Sequence, residues 1–211
     1  MTGAAFAFDE SKVKRDREGK FASIAERVNA VIASFKPQRI GSNKEASAYL
    51  KANKPKLTKT QEGAVDRYTG DGFLDLNKKM RAGDTSDPEV KRLDAAMRPL
   101  PDDLVVTRRV DLSALGVENG QQLEKLRGQR YSDPAYMSTS LGSPYGGELG
   151  GVTLKIAAPK GTPAVLAAEL SRNPSEREVL LGRGLQLVIT SVKANDKYGY
   201  DVSAVIVPKE D

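Results

Sequence analysis

The segment Asn173 to Gly184 reads N-P-S-E-R-E-V-L-L-G-R-G and sets two carboxylates, Glu176 and Glu178, one residue apart at the mouth of an apolar run. In a strand, residues i and i+2 share a face, so a strand beginning here would aim both acids one way and Arg177 the other. Adjacent carboxylates repel, and the arrangement calls for a cationic or sugar-like partner. A second constellation, Arg108-Arg109, interrupts L-V-V-T-R-R-V-D-L at 104–112. Neighbours on a strand face opposite sides, so one guanidinium faces inward and needs an anion. The planar donor fork suits a diphosphate, and a structural salt bridge would satisfy it too. A third, Ser138-Thr139-Ser140, closes A-Y-M-S-T-S. Such hydroxyls can fix a carboxylate rotamer, bind a ligand, or simply mark the polar end of a strand. A chain in which 29% of residues are charged meets E-x-E by chance, so the three acquire meaning only together.

What is absent narrows the chemistry further. The 211 residues include no Cys and no His. That removes disulfides, thiol nucleophiles, thiolate zinc sites, every Ser-His-Asp arrangement and the commonest general base. Catalysis has to run on Glu, Asp, Arg, Lys, Ser, Thr or Tyr, which favours a carboxylate steadying a developing positive charge. No metal site is expected. At 39% hydrophobic residues the chain reads as globular, with no run approaching the ~20 apolar residues of a membrane span. The start M-T-G-A-A-F-A-F-D-E has neither a basic n-region nor a long apolar stretch, so a cytoplasmic or virion-associated, host-delivered location is expected rather than secretion by a signal peptide. Residues 1–60 carry 13 Lys and Arg against 6 Asp and Glu, while the remainder is slightly acidic. A basic arm of this kind can bind an acidic partner, a phage capsid, nucleic acid or nothing.

The positioning elements follow from periodicity. Phe21, Ile24, Ala25, Val28, Val31, Ile32 and Phe35 recur at helical spacing over roughly 20–35, and Lys36-Pro37 ends the helix. Ser42 with Glu45 reads as a capping box for a short helix through Leu50, and K-A-N-K-P-K-L-T-K then reads as a linker. The expected organisation is a basic extension over 1–56 and a catalytic domain over 57–211. Thr58 with Gln61 opens a helix ending at Gly70, F-L-D-L-N-K-K-M-R-A-G forms a second one stopped by Gly83, and Asp87-Pro88 starts a third. A short helix covers Gln121 to Arg127. L-V-V-T-R-R-V-D-L, A-Y-M-S-T-S, V-T-L-K-I, E-V-L-L, L-Q-L-V-I-T and V-S-A-V-I-V are strands, with Val152, Leu154 and Ile156 alternating as in a half-buried strand. G-S-P-Y-G-G-E-L-G-G (142–151) lacks the spacing of a nucleotide loop and reads as a flexible cover. Helices followed by strands make an α+β fold.

The order of the three constellations, Arg on a strand, S-T-S ending a strand, E-x-E beginning one, resembles the R-S-E class of mono-ADP-ribosyltransferases, similar to the enzymatic domains of bacterial actin-modifying toxins. The likeness runs from about 58 to 208. It includes A-V-D-R-Y-T-G-D-G-F-L-D-L-N-K-K-M-R, D-L-V-V-T-R-R, L-R-G-Q-R-Y-S-D-P-A-Y-M-S-T-S-L, A-P-K-G-T-P-A-V-L-A-A-E-L and E-R-E-V-L-L-G-R-G. The resemblance implies two packed, mostly antiparallel sheets flanked by helices, and NAD as co-substrate. It implies Arg108 on the NAD phosphates, with Arg109 beside it, and Ser138 orienting Glu178, with Thr139 beside it. Tyr68, Phe73 and Asn77 would contact the cofactor. Glu178 would stabilise the cation formed when nicotinamide leaves, and Glu176 would mark transfer to arginine on a target protein. An NAD glycohydrolase would use the same groups with water as acceptor. Thr107 departs from the family's usual aromatic, and S-R-N-P-S (171–175) lacks the aromatic with which many relatives touch their protein substrate, which leaves the target open. Separately, F-D-E-S-K-V-K-R-D-R-E-G-K-F-A (8–22) resembles segments of tailed-phage minor head proteins. That implies a virion component, either an enzyme carried into the host or a structural protein with a vestigial site.

Overall fold

The computed structural model describes residues 20–144, 151–196 and 199–208. Helix α1 (Lys20–Ser34) lays Val28 fully buried against Ala157, Val188 and Val205, with Ile24, Val31, Ile32 and Phe35 around it. Helix α2 (Asn43–Ala52) inserts Ala46 and Leu50 into the principal core. Its N-cap is Ser42, which accepts from Glu45 N at 3.2 Å, but the Glu45 carboxylate accepts from Gly41 N at 2.6 Å rather than from Ser42. The expected box is therefore displaced by one residue on its return leg. Helix α3 (Lys59–Arg67) has the full reciprocal box: Gln61 N donates to Thr58 Oγ1 at 3.3 Å and Thr58 N to Gln61 Oε1 at 2.9 Å.

After Arg67 the chain does not stop at Gly70 but passes through a π-helical turn, Tyr68–Gly72, broken at Gly70, into helix α4 (Phe73–Arg81). The turn is so tight that a Cβ on Gly72 would lie 2.8 Å from the Arg67 carbonyl. Helix α5 (Pro88–Ala96) starts at the Asp87 cap, whose side chain accepts from Glu89 N at 3.0 Å. A short helix α6 (Gly120–Glu124) lies between the strands. No helix among the described residues is long and apolar enough to cross a membrane.

Among the described residues nine strands follow in chain order: β1 (Arg98–Pro99), β2 (Leu104–Val110), β3 (Arg130–Ser132), β4 (Met137–Leu141), β5 (Val152–Ala158), β6 (Pro163–Leu166), β7 (Glu178–Leu181), β8 (Gln186–Asn195) and β9 (Gly199–Val207). Their hydrogen-bonded order is β1-β6-β7-β4-β2-β5-β9-β8-β3, antiparallel except for β5 with β9. The order falls into two halves, β1-β6-β7-β4 and β2-β5-β9-β8-β3. Among the described residues their strands pair where Val106 faces Leu141 and Thr107 faces Ser140. Beyond those pairs β2 stays with β5 through Val110, and β4 stays with β7 through Met137. The sheet splits there.

The principal core lies between the halves, drawing Val106, Leu154 and Ile156 from one and Leu141, Val179 and Leu181 from the other. Helices α3–α5 cover the outside of the first half, and α1 that of the second. The α+β architecture expected from the sequence is present. The half-buried pattern expected for 152–156 holds at Lys155, whose side chain is 44% exposed, but Thr153 is buried, and just beyond the span Ala157 packs under α1.

Candidate active site

The split brings the three constellations onto neighbouring strands. Arg108 leaves β2 just past its last pair with β4, Ser138 sits near the start of β4, and Glu178 opens β7 opposite Ser140. Glu178 is 4% exposed, and its Oε2 is buried without a hydrogen-bond partner. Burial is the main reason its carboxyl is pushed up to about 7; the Glu176 charge adds to the rise, while a hydrogen bond from Ser138 and the Arg108 charge pull it down. Helix α3's continuation contributes Tyr68, only 2% exposed, whose hydroxyl donates to Asn77 Oδ1 at 3.1 Å. Its phenol is pushed up to about 12, chiefly by burial; Asn77, Ser138 and Arg108 lower it and Glu178 raises it. One buried phenol thus senses four of the residues singled out in the sequence.

Phe73 packs edge-on to Tyr68, ring centroids 6.4 Å apart, and is 38% exposed at the rim. Tyr68 also meets Tyr136 at 5.5 Å. The Tyr68 ring is thus enclosed by Phe73 and Tyr136, with its hydroxyl turned to Asn77.

A cavity of about 320 Å³ adjoins this group, lined by Arg81, Arg108, Tyr131, Asp133, Met137 and Leu154 among others. Glu178 and Ser138 do not line it. Met137 and Ser138 are neighbours on β4 and face opposite sides of it, so the link between the cavity and the Glu178 group is Arg108, which lines the one and whose charge acts on the other. Arg81 escaped the sequence reading. Its Nη2 pairs with Asp133 Oδ2 at 2.6 Å and its Nε with Oδ1 at 3.1 Å. The i, i+4 spacing from Asn77 on one helix face was the signal that could have found it.

Three expectations are placed differently. Arg109 follows Arg108 by one residue, faces the opposite side of β2 opposite Thr153, and lines none of the cavity. The Thr139 hydroxyl is engaged with the Val179 carbonyl at 2.6 Å, a bond across the β4–β7 ladder. Glu176 does not share a strand with Glu178. It lies in a 3-10 turn, Pro174–Glu176, and Arg177 has left-handed backbone, φ 50 and ψ 45, so strand alternation does not apply. The Glu176 carboxylate is half-buried and accepts from Asn173 Nδ2 at 2.8 Å. Thr107, in the place of the expected aromatic, donates to the carbonyls of Ser140 and Gly142 at 3.2 and 3.3 Å, pinning the split where it begins. The glycine-rich stretch 142–151 falls mostly outside the described residues. No group of three or more acidic side chains among the described residues could hold a metal ion.

A buried, part-satisfied carboxylate thus stands near a cavity whose lining includes Arg108 and the Arg81–Asp133 ion pair. Residues 43–207 match the family model described as ADP-ribosyltransferase exoenzyme, and the chain belongs to that family. It is an NAD-dependent ADP-ribosyltransferase. Among solved structures it is similar to C3stau2 from S. aureus with NAD, at 26% identity over 82% of this chain and 100% of that one, TM-score 0.71. The Clostridium limosum C3 exoenzyme matches at 23% identity over 83% and 98%, TM-score 0.72. The ADP-ribosylating toxin BECa of a C. perfringens binary enterotoxin, with NADH, matches at 16% over 79% of this chain and 49% of that one, TM-score 0.69. No curated protein matches the sequence. The resemblance of 8–22 to phage minor head proteins gains no support from these matches, and most of that segment lies outside the described residues.

Proposed function

We propose that the chain transfers ADP-ribose from NAD to arginine side chains of a target protein and releases nicotinamide, with Glu178, Ser138, Arg108 and Glu176 as its working residues. The observation that carries the reading is the unpaired, buried Oε2 of Glu178 beside a split whose other wall presents Arg108. A buried carboxylate oxygen without a partner is costly unless a ligand completes it. The ribose 2′-hydroxyl is a donor of the right kind, and its hydrogen bond strengthens as the ring becomes oxocarbenium-like.

In this mechanism the bond between nicotinamide nitrogen and ribose breaks, and its electron pair leaves with the nitrogen. The pyridinium becomes neutral nicotinamide, so the leaving group needs no acid, in keeping with a chain that has no His. Ionised Glu178 stabilises the cation left on the sugar, with Ser138 holding its carboxylate. Arg108 and Arg81, on the walls of the adjoining cavity, suit the diphosphate. A guanidinium nitrogen then attacks the sugar carbon, and Glu176 takes the proton that this nitrogen loses. Glu176 suits the role because it is half-buried at the rim, with one oxygen held by Asn173 and electrostatic contact with Glu178.

The test is to supply NAD and agmatine, a small guanidinium compound, and to resolve ADP-ribosyl-agmatine, free ADP-ribose and nicotinamide. Adduct formation in step with nicotinamide release supports arginine transfer. Free ADP-ribose as the sole sugar product would indicate hydrolysis instead.

A further inference from the structure

We propose that Arg177, the residue between the two glutamates, is the positioning residue that sets the Glu176 carboxylate for the incoming acceptor, through a guanidinium clamp on main-chain carbonyls. This rests on the reading of Glu176 as the group that receives the acceptor.

Arg177 is the one non-glycine residue with positive φ among the described residues. That conformation is strained for an L-residue with a Cβ, so something nearby has to hold it. The side chain shows what does. It is 9% exposed and donates from Nε to Leu141 O at 3.1 Å, from Nη2 to Ser143 O at 3.1 Å, and from Nη1 to Ser175 O. Its backbone adds two ties: Arg177 N donates to Pro174 O at 3.1 Å, and Leu141 N to Arg177 O at 3.0 Å. No acidic side chain pairs with it among the described residues, although Glu176 is its neighbour in sequence. A buried guanidinium satisfied by carbonyls alone is a template for backbone shape, not an ion pair.

The carbonyls come from two places, the end of β4 and the turn that carries Glu176. The β4 end is itself fixed. Thr107 bonds the carbonyls of Ser140 and Gly142, and Ser143 N donates to Asn43 Oδ1 at 3.1 Å. Gly142 has φ +85, and a Cβ there would lie 2.9 Å from Asn43 Oδ1, so only glycine fits. Rigidity thus passes from α2 and β2 into residues 141–143, through the Arg177 fork to Ser175, and so to Glu176. Glu178, next in the chain, has further ties of its own: Ala167 N donates to its carbonyl at 2.9 Å. It is registered opposite Ser140 in the β4–β7 ladder and meets the Ser138 hydroxyl. The clamp therefore serves the acceptor carboxylate more than the one that steadies the sugar.

The experiment compares the parent with Arg177→Asn and Arg177→Lys, measuring NAD hydrolysis without acceptor, transfer to agmatine, and thermal midpoint. Asn accepts left-handed backbone but has no fork, so it removes the clamp without adding strain. Lys keeps the charge but has a single nitrogen that cannot span three carbonyls. Both variants should lose about 10- to 100-fold in transfer, as expected for a displaced catalytic group. Hydrolysis should fall by less than about threefold, a split that separates acceptor positioning from general damage. Loss of transfer and hydrolysis in equal proportion would overturn the inference, as would transfer retained within about threefold. If Asn fails to fold, the Lys variant carries the same comparison. A parent that hydrolyses NAD but never modifies agmatine refutes the arginine reading and this proposal with it; a parent that modifies agmatine while the variants do so equally refutes this proposal alone.

Discussion

Glu176 raises the proton affinity of Glu178 from a 3-10 turn outside the strand that Glu178 begins, so the two acids are coupled through space rather than through strand geometry. Only ionised Glu178 can steady a cation, and its carboxyl is pushed up to about 7. The pH profile of kcat/KM for NAD should therefore rise with pH through a midpoint near 7, reporting the free enzyme. Glu176→Gln removes one of the charges that raise it and should move that midpoint down. A midpoint unmoved by this substitution would contradict the coupling.

Stability runs the other way. The folded chain holds a proton on Glu178 that the unfolded chain releases from its ordinary 4.5 upward, so native stability should fall as pH climbs from there through about 7. Glu178→Gln removes this dependence, and its thermal midpoint at pH values above that range should exceed the parent's. The same variant should lose on the order of 10² to 10³ in both NAD hydrolysis and transfer, the scale of one transition-state electrostatic contact. A protein that is more stable and far less active separates a catalytic role from a structural one; near-parental turnover would remove Glu178 from the mechanism.

Arg108 faces a cavity with Arg81 on another wall, and its charge lowers the carboxyl of Glu178. Arg108→Met should raise KM for NAD about 10- to 100-fold, the worth of a charge-assisted hydrogen bond. It should also shift the ascending pH limb upward and weaken the salt dependence of KM. Unchanged KM would place the phosphates elsewhere.

Asn173 holds one oxygen of Glu176 at 2.8 Å, within the turn that the Arg177 clamp shapes. Asn173→Ala should cost transfer to agmatine about 5- to 10-fold, the scale of a single hydrogen bond, with a smaller loss in hydrolysis. Equal losses would assign Asn173 to the fold of the turn alone.

What could be read from the sequence was what local rules govern. Thr58 and Gln61 announced their helix and form the box, and Asp87-Pro88 did the same. The strands carrying Arg108, Ser138 and Glu178 were visible as β-branched or apolar runs. The short strands 98–99, 130–132 and 163–166 were not, because residues this few acquire strand geometry from their partners. The left-handed Arg177 was hidden for the same reason: nothing in N-P-S-E-R-E shows that Leu141 and Ser143 wait to receive a guanidinium. The split between β2 and β4 depends on register, which tertiary packing decides. That split makes the cleft.

The most direct test of the central claim is mass-spectrometric mapping after incubation with NAD and a cell lysate, with Glu178→Gln in parallel. ADP-ribose attached to arginine side chains, formed by the parent and not by the variant, is the expected result. Attachment to another residue type, or NAD left unconsumed by the parent, would contradict it.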